Sequence, residues 1–138
     1  MRTLMTLVIS AFLMPILQGG DLPLPNAAKL LSMVAKSSND GPRVSCKDTG
    51  MAGELQKLGI EINASARIIW TESAAEARLF SAQGKCVVGP NPALLPAGAS
   101  LVIFEDGGRP KLMVNPRNLQ KSGVMLSDQI LKAAMAGQ

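Results

Sequence analysis

The sequence predicts an α/β fold: a single domain with one mixed sheet, helices packed on its faces, and a C-terminal β-hairpin followed by a helix. Short apolar runs alternate with amphipathic stretches through the middle of the chain, as in sheets built from strand–helix crossovers. Two later apolar runs are separated by about four polar residues, which is enough for a hairpin turn but too short for a crossover. With 138 residues and 47% hydrophobic content, the chain is long enough to bury a core.

Residues 1–20 have the pattern of a secretory signal peptide, which leaves 21–138 as the folded domain. Arg2 precedes an apolar run of about 15 residues that ends at Leu17, and two glycines follow it. A helix that spans a membrane needs roughly 20 apolar residues, so the run is short for an uncleaved anchor, which is the alternative interpretation. We therefore expect export from the cytoplasm.

The first half of the domain contains two predicted helices and three predicted strands. Before residue 73 we expect, in order, a helix at 25–35, a strand at 43–46, a helix beginning near Thr49, a weak strand at 60–62 and a buried strand at 66–70. The first helix has Pro25 in its first turn and apolar residues at i, i+3, i+4 and i+7 from Ala27. The run from Ile68 to Trp70 is continuously apolar, as in a parallel strand covered on both faces, so Trp70 is expected in the core.

The second half begins with a helix whose first turn has a capping-box spacing. Ser73 would accept hydrogen bonds from the first amides, while the Glu76 side chain reaches back to the Ser73 amide. The later elements are expected as a helix from 73 to about 82, strands at 85–88, 101–104 and 110–114, a helix opened by Asn115-Pro116 and ended by Gly123, and a last helix at 127–135. The last two strands should complete the sheet, with Pro110 on an edge because it cannot donate to a ladder.

Composition and charge argue against catalysis and nucleic-acid binding. The chain has no histidine, which removes the commonest general base and the usual zinc ligand sets. Its 14 basic and 10 acidic residues give a net charge of +4, but the basic residues are scattered singly, and one Trp and no Tyr are present to stack on bases. Adjacent Glu105 and Asp106 lie in a turn, and Glu72 and Glu76 suit a helix start. We therefore predict no catalytic residues, no cofactor and no metal site.

Two further features leave alternatives open. Cys46 and Cys86 lie in apolar runs, where they are either free thiols or the two halves of one disulfide formed in an oxidising compartment. Gly50 and Gly53 lie between a strand and the helix that begins near Thr49, where helix amides either bind an anion or simply pack. The sequence contains no glycine-rich phosphate-binding motif that would favour the anion.

The last third of the chain resembles the C-terminal signature of the YfiR-like family. Residues 101–131 contain a hairpin with an acidic-Gly turn, Asn115 after the second strand, a short helix that ends at Gly123, and Ser127 before a Leu-rich helix. These features follow one another in the order found in that family. This stretch is the specific part of the resemblance.

Weaker similarity to the same family extends upstream, so that the resemblance spans residues 26–134. Residues 66–73 look like the family's central strand and the serine after it, and 43–46 look like its first strand. Residues 29–31 lie where its first helix is found. The aromatic residues and Trp-Pro that tend to end that helix are absent from 33–38.

The resemblance implies a periplasmic regulator that binds the periplasmic domain of an inner-membrane partner, either a diguanylate cyclase or a sensor kinase. A diguanylate cyclase makes cyclic di-GMP in the cytoplasm, so control would have to be conformational. The redox sensing proposed for some relatives depends on several cysteines and does not carry over to Cys46 and Cys86. The alternative interpretation is an exported small-molecule or anion-binding domain, and a homodimer is left open.

Overall fold

A computed structural model describes residues 22–136, and the predicted signal peptide at 1–20 lies outside them. The helices are α1 (Leu24–Ser37), α2 (Thr49–Lys57), α3 (Ala74–Ala82), α4 (Pro116–Ser122) and α5 (Asp128–Ala133). The strands are β1 (Arg43–Cys46), β2 (Glu61–Ile62), β3 (Ile68–Trp70), β4 (Cys86–Gly89), β5 (Leu101–Asp106), β6 (Arg109–Val114) and β7 (Ala134–Ala136). A 3₁₀ turn covers Pro92–Leu94. Within 22–136, no helix combines the length and the hydropathy that a membrane span requires.

The seven strands form one mixed sheet in the order β2-β1-β3-β4-β5-β6-β7. The five strands from β2 to β5 are parallel, β6 is antiparallel to β5, and β7 is parallel to β6. The predicted α/β fold with a mixed sheet is thereby confirmed. From β1 the chain crosses to the outer strand β2 and then returns to the other side of β1 as β3, so the winding direction reverses between β1 and β3.

Helices cover both faces of the sheet because its central strands send apolar side chains to each side. Ile68 and Ile69 are successive residues of β3, so they point to opposite faces. Ile68 packs in a cluster that includes Leu31 of α1 and Leu55 of α2, and Ile69 packs in a second cluster with Ala77 of α3. This two-sided burial explains the continuous apolar runs of the parallel strands.

The β5–β6 hairpin has the antiparallel pairing that the short polar connection predicts. Asp106 pairs with Arg109, which leaves Gly107 and Gly108 as a two-residue loop. Their φ angles are +62° and +79°, the left-handed conformation that hairpin turns require at both positions and that glycine adopts at low cost. The expected hairpin is therefore confirmed, and both of its strands are longer than expected.

The C-terminus differs from the expected long helix. Helix α5 ends at Ala133, and residues 134–136 instead extend the sheet as β7, with Leu112 opposite Ala134 and Val114 opposite Ala136. Strand β6 would otherwise expose a row of unpaired backbone groups, and β7 satisfies part of that row. The expectation that the hairpin completes the sheet is therefore wrong, because β7 pairs with the outer side of β6. Pro110 precedes the stretch of β6 that β7 covers, so its missing N–H removes no hydrogen bond to β7.

Candidate functional site

The reversal of strand order places the carboxyl ends of β1 and β3 side by side at one edge of the sheet. Cys46 pairs with Trp70, so the two loops that follow them leave the sheet at the same level. Because the helices after β1 and β3 cover opposite faces, a crevice opens between these loops. In doubly wound sheets ligands bind in this crevice.

A cavity of about 260 Å³ occupies this position, and we call it the switch-point cavity. It is lined by Lys47, Asp48, Trp70, Thr71, Glu72, Ser73 and Glu76. Pockets that hold drug-sized ligands measure about 300–1,000 Å³, so this cavity suits a small metabolite.

Thr71 organises the loop that follows β3. Its buried hydroxyl donates to Glu76 Oε1 at 2.7 Å and accepts from the Ser73 amide at 3.1 Å. Ser73 Oγ accepts from the Glu76 amide at 3.2 Å, which confirms half of the expected capping box. The other half, a hydrogen bond from the Ser73 amide to the Glu76 carboxylate, is wrong. The Ser73 amide donates to Thr71 Oγ1 instead, and the Glu76 carboxylate accepts from the Thr71 hydroxyl. Sequence reasoning missed Thr71.

Charges of both signs surround the mouth of the cavity. Lys47 Nζ lies 3.8 Å from Glu76 Oε2 and 5.9 Å from the centre of the Phe80 ring. The Lys47 side chain is 79% exposed, so this pair contributes at most about 1 kcal/mol to stability. Glu72 is exposed, and no ammonium or guanidinium of residues 22–136 lies within 4.0 Å of its carboxylate. The mouth therefore offers a cation and a free carboxylate to a ligand.

Trp70 supplies the floor of the site. The residue is 5% exposed and belongs to the core cluster beneath α1 and α2, as the sequence predicts. Its indole Nε1 is buried, and no group in the described part of the chain accepts its proton. A buried donor without an acceptor costs about 1–3 kcal/mol, so it usually has a partner such as a ligand or an ordered water. The cavity is therefore lined by a residue that carries an unpaired buried donor.

The helix start near Thr49, considered above as an anion site, is already occupied by a carboxylate. Asp48 Oδ1 accepts from the Gly50 amide at 2.9 Å and from the Met51 amide at 3.4 Å. This is an ordinary N-cap, and it uses the amides that an anion would need. A second negative charge there would be repelled by Asp48, so the physical basis for an anion site at this helix start disappears.

Both cysteines are free thiols, and β3 lies between the strands that carry them. Cys46 pairs with Trp70, whereas Cys86 pairs with Ile68 at the other end of β3. Two strand spacings put their Cα atoms roughly 9 Å or more apart, beyond the reach of a disulfide at about 7 Å. Burial raises the pKa of Cys86 to about 11 and also raises the pKa of half-buried Cys46. Neither thiol is activated for chemistry.

A second concavity, of about 520 Å³, lies beside α4 and α5, and we call it the C-terminal groove. It is lined mainly by apolar side chains, namely Val114, Pro116, Leu119, Val124, Met125, Leu126 and Leu131, together with Gln120 and Asp128. Met125 is 69% exposed, yet its backbone is fixed, because its amide donates to Asn39 Oδ1 at 2.9 Å and its carbonyl accepts from the Asn39 amide at 3.1 Å. The groove therefore presents apolar side chains from a fixed backbone.

The described residues contain no cluster of three or more acidic or cysteine side chains arranged to hold a metal ion. Comparison with known proteins yields no matching protein-family model and no matching curated protein. Solved structures do share the fold. An ABC domain from Streptococcus pneumoniae, in complex with L-Trp, has a TM-score of 0.57 and 11% identity over 83% of this chain.

A conserved domain protein from Vibrio cholerae is similar in the same way, with a TM-score of 0.56 and 13% identity over 86% of this chain. The chain spans 60% of the length of the first structure and 61% of the second. At such low identity the likeness shows the fold alone.

Proposed function

We propose that this chain is an exported binding protein, and that a small ligand in the switch-point cavity sets its affinity for a membrane-bound partner. The observation that carries the proposal is Trp70, a residue that lines a cavity where the strand order reverses and whose buried indole Nε1 has no acceptor among residues 22–136. Nε1 itself has almost no exposed surface, so a ligand oxygen would have to reach it through a small shift of the indole, and that contact would relieve the cost of the unpaired donor. The site is suited to binding, since its polar groups are held by one another.

The charges of the site favour a small zwitterion. Lys47 can attract a carboxylate toward the mouth, and the exposed carboxylate of Glu72 can attract an ammonium group. Free amino acids carry both groups on one carbon and match the volume of about 260 Å³. The similar ABC domain was solved with L-Trp, which makes amino acids the first probes.

Tryptophan fluorescence tests the ligand half of the proposal directly, because Trp70 is the only tryptophan in the chain. Non-aromatic amino acids, from glycine to glutamate, should shift or quench its emission in a saturable way if they accept from the indole. Emission that stays unchanged with every amino acid, up to about 10 mM, would count against a zwitterion at this site.

For the partner, we propose the periplasmic domain of a diguanylate cyclase, as the YfiR-like resemblance implies. The C-terminal groove supports this choice, because it lies within the segment that carries the resemblance and exposes apolar side chains such as Met125. A regulator that binds the inactive partner 100-fold more tightly than the active one shifts the equilibrium by about 2.7 kcal/mol. To restrain the cyclase, the regulator therefore needs only to bind the inactive state more tightly than the active state.

Deleting the gene and measuring cyclic di-GMP tests this half of the proposal. Cyclic di-GMP should rise after the deletion, and expression of the wild-type chain should lower it to its original level. Met125→Asp should lower it only weakly, because a charge in the groove opposes an apolar contact. Met33→Asp is the matched control, since Met33 is also exposed and lies outside the groove. If cyclic di-GMP is unchanged after the deletion, the partner is not a diguanylate cyclase, and a sensor kinase becomes the next candidate partner.

A further inference from the structure

A third concavity, of about 430 Å³, lies between α3, α4 and the loop that precedes β5. We call it the basic pocket, because Arg78, Arg117 and Lys121 line it and no carboxylate does. It lies at the opposite edge of the sheet from the switch-point cavity. The proposed function uses none of these residues.

The cations of the basic pocket are held on helices rather than on a free loop. Arg117 and Lys121 are four residues apart on α4, and Arg78 and Ser81 are three apart on α3, so each pair shares one helix face. Asn118, between the two α4 cations, donates from Nδ2 to the Ala99 carbonyl at 2.9 Å and thereby joins α4 to the loop before β5. The backbone positions that carry the cations are therefore set by the fold.

None of the three cations has an internal counter-ion in the described part of the chain. Each ion pair within residues 22–136 involves a cation outside this pocket, namely Arg43, Lys47 or Lys57. The carboxyl end of α3 adds a partial negative charge of about half an elementary charge, which is small beside three full positive charges. The pocket thus concentrates positive potential that only an external anion can neutralise.

We propose that the basic pocket binds a compact anion that carries at least two negative charges on phosphate or carboxylate groups. Two arginines at fixed positions can each donate a pair of parallel hydrogen bonds to such a group, and Lys121 adds a third charge. The Ser81 hydroxyl, which also lines the pocket, supplies a neutral donor. A single monovalent anion would leave most of the positive charge unbalanced.

Calorimetric titration of the whole chain with inorganic pyrophosphate, citrate and acetate tests this proposal. Pyrophosphate or citrate should bind, and acetate should bind far more weakly. Arg78→Gln and Arg117→Gln should each weaken binding about tenfold, because a charge-assisted hydrogen bond is lost. Arg109→Gln is the matched control, since Arg109 is an exposed arginine at the hairpin and lies outside this pocket. All three side chains are exposed, so melting temperatures should stay close to that of the wild-type chain.

A vesicle arm separates a free anion from a lipid headgroup with the same chemistry. Binding of pyrophosphate or citrate identifies a soluble ligand. Sedimentation with vesicles that contain cardiolipin, whose headgroup carries two phosphates, but not with phosphatidylcholine vesicles identifies a headgroup, provided that it is lost in Arg117→Gln and kept in Arg109→Gln. In either case the affinity should fall as salt rises from about 20 to 200 mM. Binding of equal strength in all variants, or binding to none of these probes, would overturn the proposal.

Discussion

The switch-point cavity and the basic pocket lie at opposite edges of the same sheet, and they differ in whether their charged side chains have partners. At the carboxyl edge, Asp48 caps α2 and Glu76 accepts from Thr71, so most charge is already balanced and a buried indole donor is left unpaired. At the amino edge, Arg78 and Arg117 have no counter-ion among residues 22–136. The first site is proposed to bind a zwitterion without net charge and the second a multivalent anion, so salt should weaken binding at the second far more than at the first.

The largest expected effect comes from crowding the carboxyl edge. A Cβ at Gly89 would lie 2.6 Å from the Thr71 carbonyl oxygen and would also clash with the Leu94 side chain. We expect Gly89→Ala to lower the free energy of unfolding by about 2–3 kcal/mol and to weaken ligand binding in the switch-point cavity, because the Thr71 loop must move.

Gly53→Ala is the control for that substitution, since nothing lies within 4 Å of its added Cβ. It replaces a glycine inside α2 and should stabilise the chain by up to about 1 kcal/mol. Urea unfolding of both variants measures the difference. If Gly89→Ala and Gly53→Ala have the same free energy of unfolding, Gly89 does not lie as close to the Thr71 carbonyl as the structure places it.

A smaller effect is expected at the amino edge, where Asp40 joins the loop before β1 to the start of β3. Its carboxylate accepts from Arg43 and, at 2.9 Å, from the Arg67 amide. Burial opposes ionisation of Asp40, but these hydrogen bonds and the two positive charges outweigh it, so its pKa is lowered. We expect Asp40→Asn to cost about 1–2 kcal/mol at pH 7 and to leave ligand binding at the carboxyl edge unchanged.

The pH dependence of that loss has a definite sign. A carboxyl group with a lowered pKa in the folded state stabilises the fold above the unfolded pKa of about 4, and the stabilisation is lost as the pH falls through the folded pKa. Unfolding curves of the wild type and Asp40→Asn should therefore differ at pH 7 and converge toward about pH 2. A difference that is constant from pH 7 to pH 2 would show that the Asp40 charge is not responsible.

The smallest expected effect concerns the two thiols, one at each edge. Because β3 separates Cys46 from Cys86, the melting temperature should be the same with and without a reducing agent. Under native conditions a maleimide should label Cys46 slowly and Cys86 only after unfolding, since Cys86 is fully buried. A reducing agent that lowers the melting temperature by several degrees would indicate a disulfide and contradict this arrangement.

Local sequence predicted the elements that local chemistry determines. Gly107 and Gly108 between two apolar runs specify the hairpin, and Asn115, Ser127 and Ser73 each cap the helix that was expected after them. Residues 134 and 135 belong to the predicted last helix but form part of β7, because their strand state depends on the free edge of β6 and not on their own pattern. Pairing with β6 therefore determines the strand conformation of β7.

Neither cavity was predicted, because both depend on strand order. Lys47 and Thr71 follow strands whose adjacency is not readable from the chain, although polar residues directly after two buried strands were an available signal. Arg78 and Arg117 lie on different helices and appear as scattered single charges until the loop before β5 brings those helices together. A pattern within one element could not reveal either site.

The most direct test of the central claim is calorimetric titration of the whole chain with L-Trp and with smaller amino acids, repeated for Glu72→Gln and Glu105→Gln. Glu105 is a carboxylate of the hairpin, away from the cavity, and serves as the control. We expect one amino acid per chain, about tenfold weaker binding in Glu72→Gln, and unchanged binding in Glu105→Gln. Binding that is equal in all three proteins, or absent for every amino acid, would contradict a zwitterion site at the switch-point cavity.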